Sequence, residues 1–196
     1  MKLFNRYDTT GIQVNDPGLQ RYVNLNPLIF PKTTGKFSNA RFWKSKYNVV
    51  ERLINKLMVT GHKGKKHKIT SGHNTGKGVK AYNIVSKAFA IIEKKMNKNP
   101  IEIFIKALEH SSPREEITTI EYGGAKYPQA VEVAPQRRVD IALRYMTQGS
   151  YQKSFNKKVK IEEALADEIM KAYNIDQGSS AIAKKLELER QADSSR

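Results

Sequence analysis

Ile117-Thr118-Thr119-Ile120-Glu121-Tyr122-Gly123-Gly124-Ala125-Lys126-Tyr127-Pro128-Gln129-Ala130-Val131-Glu132-Val133 is the run whose reading decides the fold. It lies in a longer stretch, 114–148, where the pattern departs from that of a helix. Ile117 to Tyr122 and Tyr127 to Val133 are rich in β-branched and aromatic residues, which suit strands. Between them Gly123-Gly124 tolerates the positive φ angles of a tight hairpin turn. Pro128 cannot donate to a ladder, so the run predicts an isolated two-stranded ribbon with free edges. Such a ribbon is marginal alone and must be rooted in other structure. The root follows directly: Pro135 suits the first position of a helix, and Val139, Ala142, Leu143 and Met146 make an apolar stripe. Arg137, Arg138 and Arg144 are expected off that stripe, and Arg114 stands before the ribbon. A projecting ribbon joined to an arginine-bearing helix points to a device for holding RNA.

Outward from the ribbon the chain reads as helices. Asn99 and Glu102 bracket Pro100 in a capping-box arrangement, with Ile101, Phe104, Ile105 and Leu108 facing inward. His110-Ser111-Ser112-Pro113 closes that helix, and His110 reads as a partner for helix ends. Upstream, Tyr82, Val85, Ala88, Phe89, Ile92 and Met96 share one face. Tyr47, Val50, Leu53, Ile54, Leu57 and Met58 form another, with Arg52, Asn55 and Lys56 opposite and Gly61 as the stop. Downstream, Ile161, Ala164, Leu165, Ile169 and Ala172 predict a fifth helix. Ser179 or Ser180 opens a sixth, expected to fray at 192–196. Residues 1 to 40 are mixed, punctuated by Pro17, Pro27 and Pro31. Asp16-Pro17 caps a short helix through Leu19, Tyr22 and Val23, and the rest reads as an extended arm anchored by Leu25, Leu28, Ile29 and Phe30. Trp43 suits either stacking on a base or a core or hinge contact, and the second reading is preferred.

The 196 residues carry 35 Lys and Arg against 19 Asp and Glu, a formal net charge of +16. Such a balance favours a polyanionic partner, nucleic acid above all. The positive charge belongs to residues before Ile161, because acids outnumber bases after it. Without cysteine there is no disulfide framework and no thiolate metal site. No apolar run approaches the roughly 18 residues of a membrane span and no signal-peptide segment opens the chain, so a soluble, cytoplasmic protein is expected.

Between Gly61 and Lys80 stand Lys63, Lys65, Lys66, Lys68, Lys77 and Lys80 without an acid. Interspersed glycines let this backbone approach phosphates closely, as an RNA clamp that orders on binding. The run Ser71 to Gly78 resembles a nucleotide-binding P-loop, yet its spacing is one residue short and Gly78 replaces the magnesium-holding hydroxyl. His62, His67 and His73 lack accompanying carboxylates, so neither a metal nor any cofactor is expected. Past Gly149, Lys153, Lys157, Lys158 and Lys160 interleave with Tyr151 and Phe155. That pattern suits backbone neutralisation with base stacking, or a solvated linker.

Several of these runs resemble the small-subunit ribosomal protein seven family. Arg52-Leu53-Ile54-Asn55-Lys56-Leu57-Met58 is similar to its first core helix and Lys87-Ala88-Phe89-Ala90-Ile91-Ile92 to its second. Pro100 to Glu109 resembles the third, and Ala164-Leu165-Ala166-Asp167-Glu168-Ile169 the fifth. Gly123 to Pro128, then Val131-Glu132-Val133 and Pro135-Gln136-Arg137-Arg138, resemble its hairpin and following helix. The longer arm, the loop insertion and Asn74-Thr75-Gly76-Lys77 look like the archaeal and eukaryotic branch, which suggests an archaeal cytoplasm. Gly78 stands where the bacterial pattern has a second basic residue.

The resemblance implies a mainly α fold, about six helices with one protruding two-stranded β-hairpin. It divides the chain into an arm (1–44), a helical rRNA-binding body (45–190, with the hairpin at 117–133) and a tail (191–196). It implies a structural ribosomal protein that binds the 3′ major domain of small-subunit rRNA and nucleates assembly of the head. Its neighbours would be other head and platform proteins, messenger RNA and exit-site transfer RNA, with no membrane. The rRNA-facing residues expected are Lys63, Lys65, Lys66, Lys68, Lys77, Lys80, Arg114, Arg137, Arg138, Arg144, Lys153, Lys157 and Lys158. The tip, Tyr122, Gly123, Gly124, Lys126 and Tyr127, is expected at the messenger or exit-site transfer RNA. The rivals are an RNA-modifying or RNA-cleaving enzyme, which needs a convergent acid/base pair or metal cluster that the sequence does not offer, and a DNA-binding regulator.

Overall fold

The computed structural model describes residues 2–59 and 74–196. Within them the order is α1 (Pro17–Gln20), a 3-10 turn (Trp43–Lys46), α2 (Val49–Leu57), α3 (Gly78–Met96), α4 (Pro100–Ser111), β1 (Glu115–Tyr122), β2 (Ala125–Glu132), α5 (Pro135–Ser154), α6 (Ile161–Tyr173) and α7 (Ser180–Asp193). The mainly helical fold with one two-stranded antiparallel sheet is as expected. No helix among the described residues is long and apolar enough to cross a membrane.

Helix α6 is the centre of the body and packs against α3, α4, α5 and α7. Its stripe of Leu165, Ala166, Ile169 and Ala172 is fully buried, together with Phe89 of α3 and Phe104 of α4, whose rings lie 5.8 Å apart. Burial of each leucine, isoleucine or phenylalanine among them contributes about 1.5–3 kcal/mol. The four inward residues expected of α4 and the four of α5 are all buried. Caps fix the starts: Asn48 accepts from the Val50 N–H at 2.9 Å, and Asn99 from the Ile101 N–H at 3.1 Å. The capping box at Asn99 is only half made, because Glu102 turns to Lys106 one helical turn on, at 2.7 Å.

The ribbon pairs Glu115 with Glu132 through to Tyr122 with Ala125. Gly123 and Gly124 both have positive φ, 56° and 84°, as a mirror-image two-residue turn requires. By the alternation of an antiparallel ladder, the Thr119–Pro128 pair falls at a non-hydrogen-bonded position, where proline loses nothing.

Four expectations need correction. Helix α2 starts after its Asn48 cap and is complete at Leu57, before Gly61, which lies outside the described residues. Helix α5 continues through Gly149 to Ser154. A Cβ on Gly149 would stand 2.5 Å from Ser180 Oγ, so glycine lets α5 touch the start of α7. The first two dozen residues wrap the body, with Leu3, Tyr7, Val14, Leu19 and Val23 buried, while the expected anchors Ile29 and Phe30 are exposed. Finally, Trp43 is not a core residue: it is 41% exposed.

Candidate nucleic-acid interface

The cationic face is built from α2, α5 and the turn before α2. Asp140 lies on α5, and Arg52 of α2 reaches its Oδ1 at 3.0 Å while also donating to the Tyr22 carbonyl at 3.1 Å. Lys44 bonds the other oxygen of Asp140. Burial pushes the Asp140 carboxyl up, but the Lys44 hydrogen bond and the Arg52 charge together outweigh it and hold the group below its ordinary value. Lys56, one turn beyond Arg52, is pushed down, first by burial and then by Arg144 of α5. One carboxylate thus lies among Lys44, Arg52 and Lys56, and Lys56 also feels the Arg144 charge, so an arriving phosphate would relieve that like-charge repulsion.

The expected residues divide by what they touch. Arg144 is exposed beside Lys56, as a phosphate-facing group should be. Arg137 is exposed and makes a forked pair with Glu116 of β1, at 2.6 and 2.7 Å, which raises its pKa. Arg138 does not lie on the outer face. It is 8% exposed, donates to Asp16 Oδ2 at 2.6 Å and to the Pro113 carbonyl at 3.1 Å, and so ties the N-terminal wrap to the ribbon's root. Its place four residues before Ala142, on the flank of the apolar stripe, was the available signal. Arg52, expected opposite the α2 stripe, is likewise buried.

Lys153 is also occupied by the fold. It donates to Glu168 Oε2 at 2.7 Å and to the Gly178 carbonyl at 3.2 Å. Glu168 is fully buried, and its other oxygen accepts from Ser179 Oγ and the Ala181 N–H, which closes the start of α7. Lys157 and Lys158 are exposed in the α5–α6 connection beside Phe155. Lys77 caps α3 and, like Lys80, is exposed. Lys63, Lys65, Lys66, Lys68, the three histidines His62, His67 and His73 and the first three residues of the P-loop-like run lie outside the described residues.

Helix α7 braces the ribbon. The Arg114 N–H donates to Glu189 at 3.0 Å, the Val133 N–H to the Arg114 carbonyl at 2.9 Å, and Arg196 pairs with Glu115. The Arg114 side chain faces a shallow polar groove that Lys185, Glu189 and Arg196 share. The tip beyond has no packing of its own: Tyr122 is 80% exposed and Tyr127 59%, with Lys126 beside them opposite Glu121. Sequence reasoning missed Lys44 and Asp140 in this face, and Lys56 as a member of it. Among the described residues no group of His, Asp and Glu could hold a metal ion.

A helical body, a rooted finger and an excess of cations over one carboxylate define a basic binding protein. Comparison with known proteins makes the class specific: the family model for ribosomal protein S7p/S5e matches residues 19–196. Small ribosomal subunit protein uS7 of Nanoarchaeum equitans is 52% identical over 196 residues, covering 100% of this chain and 99% of that protein. The uS7 of Archaeoglobus fulgidus is 45% identical over 194 residues, covering 99% and 94%. The chain belongs to the ribosomal protein S7p/S5e family, as the sequence resemblance implied, and is a structural, non-enzymatic protein of translation.

Proposed function

We propose that this protein is a structural constituent of the small ribosomal subunit in the cytoplasm, and a direct binder of its rRNA. It holds the 3′ major domain and nucleates assembly of the head. Its finger lies near the messenger path and the exit-site transfer RNA, among other head and platform proteins. The observation that carries this reading is the α2–α5 face, where Lys44, Arg52 and Lys56 gather about the carboxylate of Asp140 and Arg144 adds a further positive charge beside Lys56. Cation excess of that kind recognises phosphate by charge and position, without chemistry on the ligand. Lys77 and Lys80 at the start of α3, and the lysines 63, 65, 66 and 68 in sequence before them, extend the same sign of charge.

The test is competition between a 3′ major domain rRNA fragment and duplex DNA of equal length, across a salt series. The RNA should win, with a log–log slope of roughly 0.7 to 0.9 per phosphate neutralised. Replacing Lys56 and Arg144 by alanine should reduce that slope by about one unit each. Equal affinity for both nucleic acids, or an unaltered slope, overturns the reading.

A further inference from the structure

The turn before α2 combines features that the cationic face does not explain. Phe42 has φ 68°, a left-handed conformation that a bulky side chain adopts at a cost. It is held there. Its carbonyl accepts from Ser45 Oγ at 2.9 Å and from Nε2 of buried Gln136, on the first turn of α5, at 3.2 Å. Two residues on, Lys44 is tied to Asp140. A turn bolted to the body at two points thus presents its rings outward, with Phe42 62% exposed and Trp43 beside it. Each ring carries a cation: the Arg41 guanidinium lies 5.1 Å from the Phe42 centroid, and the Lys46 ammonium 3.9 Å from that of Trp43. From Pro17 to Val50 the sequence has no acidic residue.

We propose that Phe42 and Trp43 form a stacking platform for unpaired RNA bases, with Arg41 and Lys46 neutralising the adjoining phosphates. Stacking needs exposed rings held rigidly, and a strained, over-tied turn supplies that rigidity. The flanking cations and missing acids select a polyanionic strand over a protein partner. Duplexes keep their bases stacked inside, so the ligand class is a single strand, loop or bulge. The inference rests on the RNA-binding reading above and adds to it a distinct site with its own readout.

Trp43 is the only tryptophan, so its fluorescence reports on this platform alone. The full chain is titrated with a short oligoadenylate RNA, a duplex RNA of the same length, and polyglutamate. Oligoadenylate should quench Trp43, the duplex far less, and polyglutamate not at all. Phe42→Ala and Trp43→Ala should each weaken oligoadenylate binding by about 5- to 100-fold, the range expected for loss of one stacked base. Trp43→Phe should bind nearly as the unaltered chain, followed by anisotropy of a labelled oligonucleotide. Equal quenching by the duplex, quenching by polyglutamate, or unchanged affinity in both alanine variants overturns the platform. If those variants bind oligoadenylate normally while rRNA binding keeps its steep salt dependence, the platform fails alone. Loss of all salt-dependent RNA binding in the unaltered chain overturns both readings.

Discussion

Asp140 on α5 and Glu168 on α6 each accept a hydrogen bond from a lysine, yet their surroundings differ in kind. Glu168 is fully buried, and both its oxygens are used, by Lys153, Ser179 and the Ala181 N–H at the start of α7. The positive end of that helix adds to the balance. Asp140 sits among Lys44, Arg52 and Lys56, with Arg144 beside Lys56, and positive charge there exceeds negative. The first arrangement is a joint and the second an unbalanced cluster of cations. Counting lysines does not separate them, because Lys153 and Lys44 look alike in sequence; what separates them is the acid within reach.

The comparison breaks most visibly at Glu168. Glu168→Ala removes the buried carboxylate that joins Lys153 to the α7 start, and should cost about 3 kcal/mol. For a chain of this size that lowers Tm by roughly 6–12 °C in a thermal melt, with the salt slope of RNA binding unchanged in the folded protein. Next in size is the contrast between neighbours: Arg138→Ala should cost about 2–3 kcal/mol by removing a buried guanidinium from the half-buried Asp16 and the Pro113 carbonyl, whereas Arg137→Ala, whose forked pair is half exposed, should cost about 0–1. Urea unfolding of the two variants decides it. Equal losses would mean that burial does not sort these arginines.

Gly149→Ala probes the same joint by volume. The new Cβ meets Ser180 and Glu168, and about 1–3 kcal/mol should be lost, read from the same unfolding midpoint. Smallest is a pH effect. Because the folded Asp140 pKa lies below its unfolded value, its stabilisation is present above the ordinary aspartate pKa, near about 3.9, and is lost as pH falls through the folded value. Asp140→Asn should therefore differ in stability from the unaltered chain at neutral pH, and begin to converge on it only below about pH 4. Convergence already at pH 6 would show that the ties to Lys44 and Arg52 contribute nothing.

Local pattern carried the elements whose instructions are local. The glycine pair and Pro128 foretold the lone ribbon, and the stripes of α3 to α6 foretold which faces are buried. Partners distant in sequence left no such trace. Arg138 meets Asp16 across 122 residues and Arg52 meets Asp140 across 88, so both read as solvent-facing cations until the fold joined them. Burial of the first residues was hidden for another reason: Leu3, Tyr7 and Val14 are spaced irregularly, and a wrap ahead of the short α1 has no period to detect. Trp43 misled because a lone tryptophan among small and basic residues suits a core as well as a surface; only its exposure decides. Of the candidate interface, Arg144 and the tip stood in the sequence, whereas the carboxylate at its centre did not.

The ribbon is also a lever. Eight residues at about 3.3 Å each give β1 a length of roughly 26 Å, with its fulcrum at the body. A turn of about 5° at the root therefore swings the tyrosines by roughly 2 Å, the scale of a lost contact. The ties that set this angle, Glu116 to Arg137, Glu115 to Arg196 and Glu189 to the Arg114 backbone, are charged and lie at the base. Aim is thus governed far from the point that is aimed: a substitution at Glu116 redirects the tip more than one made midway along the strand.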